Sequence, residues 1–181
     1  MGSGKSTLGP IVANVIGYDF VDLDAAIARA AGRSVQRIFA EEGEAAFRAR
    51  EAEALRATGG RERLVVAVGG GALTFEENLQ WALAHGTVVY LRVPPERLTG
   101  RLFYGRSIRP LLRDSEGRRL SPESLDAKVR ELLARREPFY RRAHLTIEMG
   151  DRRVGHAVDE VVRALRRYAR TAGRGTGKAK G

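Results

Sequence analysis

The sequence predicts an α/β fold in three layers, a parallel sheet flanked by helices, and three observations carry that prediction. Two continuous apolar runs, residues 64–68 and 87–93, stop abruptly at Gly69-Gly70-Gly71 and at Pro94-Pro95, as strands buried on both faces do. Helical periodicity resumes after each of them. A cluster of glycine, lysine and hydroxyl residues, Gly2-Ser3-Gly4-Lys5-Ser6-Thr7, opens the chain directly ahead of an amphipathic stretch. Strands alternating with helices imply a parallel sheet.

In chain order, Leu8, Ile11, Val12 and Val15 recur at helical spacing, with Pro10 expected to kink or tighten that helix by removing one donor. Residues 18–23 read as a short strand ending in acids, and residues 25–31 as a helix stopped by Gly32. Ser34 is a plausible N-cap for a helix carrying Val35, Ile38 and Phe39. Gly43 is expected to break it before a longer helix over about residues 44–57, with Phe47 and Leu55 inward. Residues 75–84 and 96–103 suit helices around the second apolar run. Residues 104–120 carry Gly, Arg, Pro and Asp with little periodicity and read as a functional lid. Ser121-Pro122 starts a helix expected to end near Pro138, residues 145–149 give a last strand, and Val154 to Leu165 a final amphipathic helix.

Bulk properties narrow the function. The 181 residues suffice for one well-cored domain, and the absence of cysteine excludes disulfides and thiolate metal sites. No apolar run approaches the roughly 20 residues that span a bilayer, so a cytoplasmic location is expected. The net charge of +10 suits an enzyme with anionic substrates as well as a nucleic-acid binder. Much of it sits in Arg166, Arg167, Arg170, Arg174, Lys178 and Lys180, near or within a Gly-rich basic tail, residues 171–181, expected to be disordered. The other charges are not interleaved with aromatics as a base-stacking platform requires, so no nucleic acid partner is expected.

The opening cluster is the second half of a Walker A loop, in which backbone amides and a helix N-terminus meet phosphate oxygens. Lys5 would hold β and γ phosphates, and Ser6 would offer its hydroxyl to Mg²⁺. The first glycine of the motif and the buried strand that leads into the loop are expected upstream of Met1, so the first strand of the fold is expected to be missing and its neighbours to lack a pairing partner, either because the true start lies upstream, the favoured reading, or because the sequence is a fragment. Asp22 and Asp24, two apart at a strand end, are expected to share one face at the carboxyl edge of the sheet. One could hold water on the metal while the other accepts a hydroxyl proton. Taken alone, Asp24 as a helix N-cap is the simpler account.

The strings M-G-S-G-K-S-T, D-x-D, I-F-x-x-x-G-E-x-x-F-R, V-G-G-G, R-P-L-L and R-x-P-x-Y, in this order over nearly the whole chain, resemble the shikimate kinases. The resemblance implies a P-loop domain over residues 1–170, similar to the nucleoside monophosphate kinases, with the lid at about residues 104–120. It implies ATP-dependent phosphorylation of the 3-hydroxyl of shikimate, in the chorismate route to aromatic amino acids, by an enzyme expected to be monomeric and to use Mg²⁺.

By the same resemblance, Lys5, Asp24 and Arg109 are catalytic, Asp24 as base for the accepting hydroxyl and Arg109 as a lid arginine over the transferring phosphoryl. Gly2, Ser3, Gly4, Lys5, Ser6 and Thr7 hold ATP together with Arg101, Arg109 and Arg153. Arg48 and Arg136 match arginines that grip the substrate carboxylate, a task suited to planar guanidinium forks. Gly69, Gly70 and Gly71 match a glycine loop through which backbone amides approach the acid. Ser6 and Asp22 fall to the metal, and Phe39 and Phe47 match apolar walls of the pocket, though core packing explains them equally well.

The sequence departs from the family at the adenine-framing loop, where Asp151-Arg152-Arg153-Val154-Gly155 has glycine in place of a frequent proline, and in a longer, arginine-richer lid. Two other readings stay open: another small-metabolite kinase such as gluconate kinase, and a non-catalytic nucleotide- or nucleic-acid-binding relative.

Overall fold

The computed structural model describes residues 2–105, 118–150 and 153–175. Helix α1 (Lys5–Ile16) starts at Gly4, whose φ of 92° places the backbone in the left-handed region. It continues through Pro10, where the proline and the Ser6 turn it deprives of a donor both face solvent. Strand β1 (Asp19–Asp22) runs straight into α2 (Leu23–Ala31). In α3 (Val35–Arg56) the Ser34 hydroxyl accepts from the Arg37 N–H, and Gly43, at φ 81° and ψ 176°, separates two helical segments as its position predicts.

Strand β2 (Leu64–Ala67) feeds the three glycines, a short 3-10 turn (Ala72–Thr74) and α4 (Glu76–His85). After β3 (Val89–Arg92) come α5 (Pro95–Tyr104) and α6 (Pro122–Tyr140), capped by the Ser121 hydroxyl. Helix α6 runs two residues past the expected stop, because Pro138 and the Ala134 turn it deprives of a donor are exposed and water can serve the carbonyl. Strand β4 (Leu145–Glu148) precedes α7 (Val154–Gly175), which extends five residues into the stretch expected to lack structure. The lid segment 106–117 and residues 176–181 lie outside the described residues. No described helix is long and apolar enough to cross a membrane.

The strands form two separate parallel ladders. β1 pairs with β2, Asp19 opposite Leu64 through Asp22 opposite Ala67, and β3 pairs with β4, Val89 opposite Leu145 through Arg92 opposite Glu148. Among the described residues no ladder joins β2 to β3. Between these two edges lies a cavity of about 200 Å³, lined by Val66 and Val68 on one side, Val89 and Leu91 on the other, and Leu8 and Phe139 from the helices.

Burial divides along the same line. Leu8 and Val12 of α1 join Val93, Val129, Ile147 and Val158 in one core around the β3–β4 ladder, while Leu23, Leu55, Leu73 and Leu79 form another around β1–β2. Ile27, Ile38 and Phe47 hold α2 and α3 together. Helix α1 packs against β1, β2 and α7, so it carries the phosphate loop on a spine that touches both halves.

Candidate active site

The phosphate loop is built by backbone geometry. Gly2 at φ 65° and Gly4 at φ 92° turn the chain so that α1 begins with its N-terminus open, and the Thr7 and Leu8 amides return to the Gly4 carbonyl. The first-turn amides of a helix have no intrahelical acceptor, and no acidic residue occupies this first turn, so the helix end favours an anion. Arg101, on α5, donates to the Gly2 carbonyl at 3.3 Å, beside the loop. Arg153 is exposed ahead of α7, with no described contact to the loop. Arg109 lies outside the described residues.

The two aspartates do not share a face of a strand, which corrects the expectation drawn from their spacing. Asp22 closes β1 and is itself the N-cap of α2, accepting from the Asp24 and Ala25 amides, while Asp24 already sits in the helix's first turn. The cap turns the chain between them, so a period of two does not apply. The carboxylates therefore diverge. Asp22 accepts from the Ser6 hydroxyl at 2.7 Å, beside the phosphate loop. Asp24 turns toward Gly69, where a Cβ would stand 3.0 Å from its Oδ1.

Beyond Asp24 the site is made by α3. The Arg48 guanidinium is forked between Glu44 (2.8 Å) and Glu51 (2.6 Å) and lies 5.5–5.9 Å from the ring centres of Phe39, Phe47 and Phe75. Phe39 and Phe47 touch each other at 4.6 Å, and Phe47 is also core. The rings pack against the interior and also flank the arginine. The glycine loop passes so close that a Cβ on Gly71 would come within 2.6 Å of the Arg48 guanidinium.

Glu51 was not legible as a site residue. It is 1% exposed, and its Oε1 has no hydrogen-bond partner among the described residues. Burial pushes its carboxyl up, the bond and charge of Arg48 pull it down, Asp24 pushes it further up and Arg136 pulls it down again. Gly69 stands against both Asp24 and Glu51, Gly71 against Arg48, and Arg136 is carried on α6. The available signal was spacing, since Glu51 follows Arg48 by three residues on one helix face. Tyr140, present in the R-x-P-x-Y string without an assigned role, donates its hydroxyl to the Gly70 carbonyl and stacks obliquely on Tyr90. Phe75 carried no signal at all.

The arrangement is thus an anion-binding helix end and a Ser–Asp pair, joined through the first turn of α2 to a carboxylate, two arginines and a glycine loop. A family model described as Shikimate kinase matches residues 1–166. The chain belongs to the shikimate kinase family. The shikimate kinase of Chlorobium chlorochromatii (strain CaD3) is 48% identical over 170 residues, which cover 94% of this chain and 89% of that one. The shikimate kinase of Chlorobium phaeobacteroides (strain DSM 266 / SMG 266 / 2430) is 48% identical over 169 residues, 93% and 88% of the two chains.

Among solved structures, the shikimate kinase from Acinetobacter baumannii, in complex with shikimate, superposes with a TM-score of 0.81 at 36% identity, covering 91% of this chain and 88% of its own. The shikimate kinase of Bacteroides thetaiotaomicron gives 0.83 at 31% identity, over 92% and 94%. A gluconokinase from Sinorhizobium meliloti 1021 shares the fold alone, at 19% identity and a TM-score of 0.53, over 95% of this chain and 90% of its own. The P-loop kinase architecture expected of a shikimate kinase is therefore present.

Proposed function

We propose that the chain transfers the γ-phosphoryl group of ATP to the 3-hydroxyl of shikimate, with roles divided as follows. The observation that carries this reading is the meeting of Asp24 and Arg48 at the Gly69–Gly71 loop, with Asp22, two residues before Asp24, bonded to Ser6 of the phosphate loop. Arg48 and Arg136 take the carboxylate of the acid, and Asp24 accepts the proton of the hydroxyl that attacks. Gly2 to Thr7 cradle the phosphates, with Lys5 on the β and γ oxygens, Arg101 beside the loop and Arg153 toward the nucleotide. Arg109 closes from the lid over the phosphoryl in transit.

One hydroxyl and one carboxylate, 2.7 Å apart, fit Mg²⁺, which binds proteins through one or two such groups and fills its remaining positions with water and phosphate. Ser6 and Asp22 would hold it, and when bound it offsets charge on the phosphates. The chain's own share is positioning and charge, the larger part of phosphoryl-transfer catalysis.

The test is ADP release with ATP and Mg²⁺ in the presence of shikimate or of gluconate. Release with shikimate and none above background with gluconate is expected. Release with gluconate alone would transfer the assignment to the other kinase class.

A second expectation concerns the glycine loop. Gly71→Ala forces the Arg48 guanidinium away from a contact of 2.6 Å. The KM for shikimate should rise about 10- to 100-fold, the range carried by a charge-assisted hydrogen bond of about 1.5–3 kcal/mol, with the KM for ATP unchanged. Steady-state kinetics in both substrates measures this, and equal shifts in the two constants would contradict it.

A further inference from the structure

We propose that Tyr140 is a positioning residue whose hydroxyl sets the direction of the glycine-loop amides that meet the substrate. This role rests on the reading of the site as one for shikimate.

The peptides around Gly70 are trans, so in each the carbonyl and the following N–H point in opposite directions. Both carbonyls are held. The Gly69 carbonyl accepts from the Ala72 amide at 3.2 Å, and the Gly70 carbonyl accepts from the Tyr140 hydroxyl. Holding the first fixes the Gly70 N–H, and holding the second fixes the Gly71 N–H. Neither amide donates to another described residue. Gly71 is buried, so its N–H is a donor kept from water and left for a ligand.

The first clamp is local to the turn, but the second crosses from the last turn of α6, 70 residues away in sequence. Triple glycine has no side chain to restrain those peptides, so without Tyr140 the Gly70–Gly71 plane is free to rotate. The phenol is well suited to donate. Burial raises its pKa against the opposing charge of Arg136, which keeps the proton on, and the ring is braced by Tyr90 at 5.1 Å. Arg136 and Tyr140 are also one helical turn apart, so α6 delivers the arginine for the carboxylate and the clamp for the amides together.

The experiment is Tyr140→Phe, which keeps the ring and removes only the hydroxyl. The KM for shikimate should rise about tenfold, with a smaller fall in kcat and a KM for ATP within about twofold of wild type. A purely structural role would instead lower the melting temperature and move both constants together, and that result overturns the proposal, as does an unchanged KM for shikimate. A wild-type chain that binds ATP but does not turn over shikimate overturns the substrate assignment and this role with it. Active wild type with an indifferent variant overturns the role alone. Should the variant fail to fold, the amide resonances of Gly70 and Gly71 in the wild-type protein serve: added shikimate is expected to shift both, and unmoved resonances overturn the proposal.

Discussion

Asp24→Asn is expected to lower kcat by about 10²- to 10⁴-fold, the span of a lost general base. The substitution is nearly isosteric and leaves a side chain beside Gly69, so shikimate still finds its place and its KM should move far less than kcat. ATP binding should not change, because the phosphate loop is served by Asp22, which points the other way to Ser6. Asp24 also lies in the first turn of α2, where a negative charge is worth about 0.3–1 kcal/mol, so only a small drop in melting temperature accompanies the loss. The decisive comparison is kcat against the dissociation constant for ATP. A kcat within about threefold of wild type would remove Asp24 from the chemistry.

The second large effect is Arg48→Ala, and it has two parts. Deleting the guanidinium removes one of two forks for the substrate carboxylate, and the KM for shikimate should rise by about 100-fold or more. It also strands Glu51, whose paired oxygen is 2.6 Å from Arg48 and whose other oxygen has no partner among the described residues. Breaking a buried ion pair from one side costs about 3–5 kcal/mol.

The sign of the pH dependence follows from burial, which already raises the Glu51 carboxyl above its ordinary value and in the variant is no longer opposed by Arg48. A carboxyl raised in the folded state favours folding while it is protonated, below its unfolded pKa. That contribution is lost as pH rises through the folded value. The melting temperature of Arg48→Ala should therefore lie nearest to wild type at acidic pH and fall away as pH rises. A gap that narrows with rising pH would mean that Glu51 is not the stranded charge.

The helices and their ends were legible because their causes are local. Ser34 and Ser121 cap where their hydroxyls predict, and Gly43 breaks α3 where no side chain resists a positive φ. The phosphate loop was legible for the same reason, since order and spacing within a few residues define it, whereas Arg48 stood out only through the family resemblance. What escaped notice was non-local or ran against a general tendency. The Tyr140–Gly70 bond spans 70 residues, and nothing in either neighbourhood announces the other. Glu51 is an acid at 1% exposure, a fate that acids reach only with a partner, and spacing alone does not reveal which helix face is inside. The roles of Asp22 and Asp24 were separable only once the cap was seen, because a strand that passes directly into a helix at Leu23 abolishes its own alternation.

The void between the two ladders bears on the whole molecule's thermal behaviour. A guest that seats there with matching shape binds the folded state and not the unfolded one, so its occupancy registers as heat resistance rather than as a change at the reacting centre. Ser3, Lys5, Gly69 and Gly70 border the same space, so the guest would also stiffen the floor beneath both substrates.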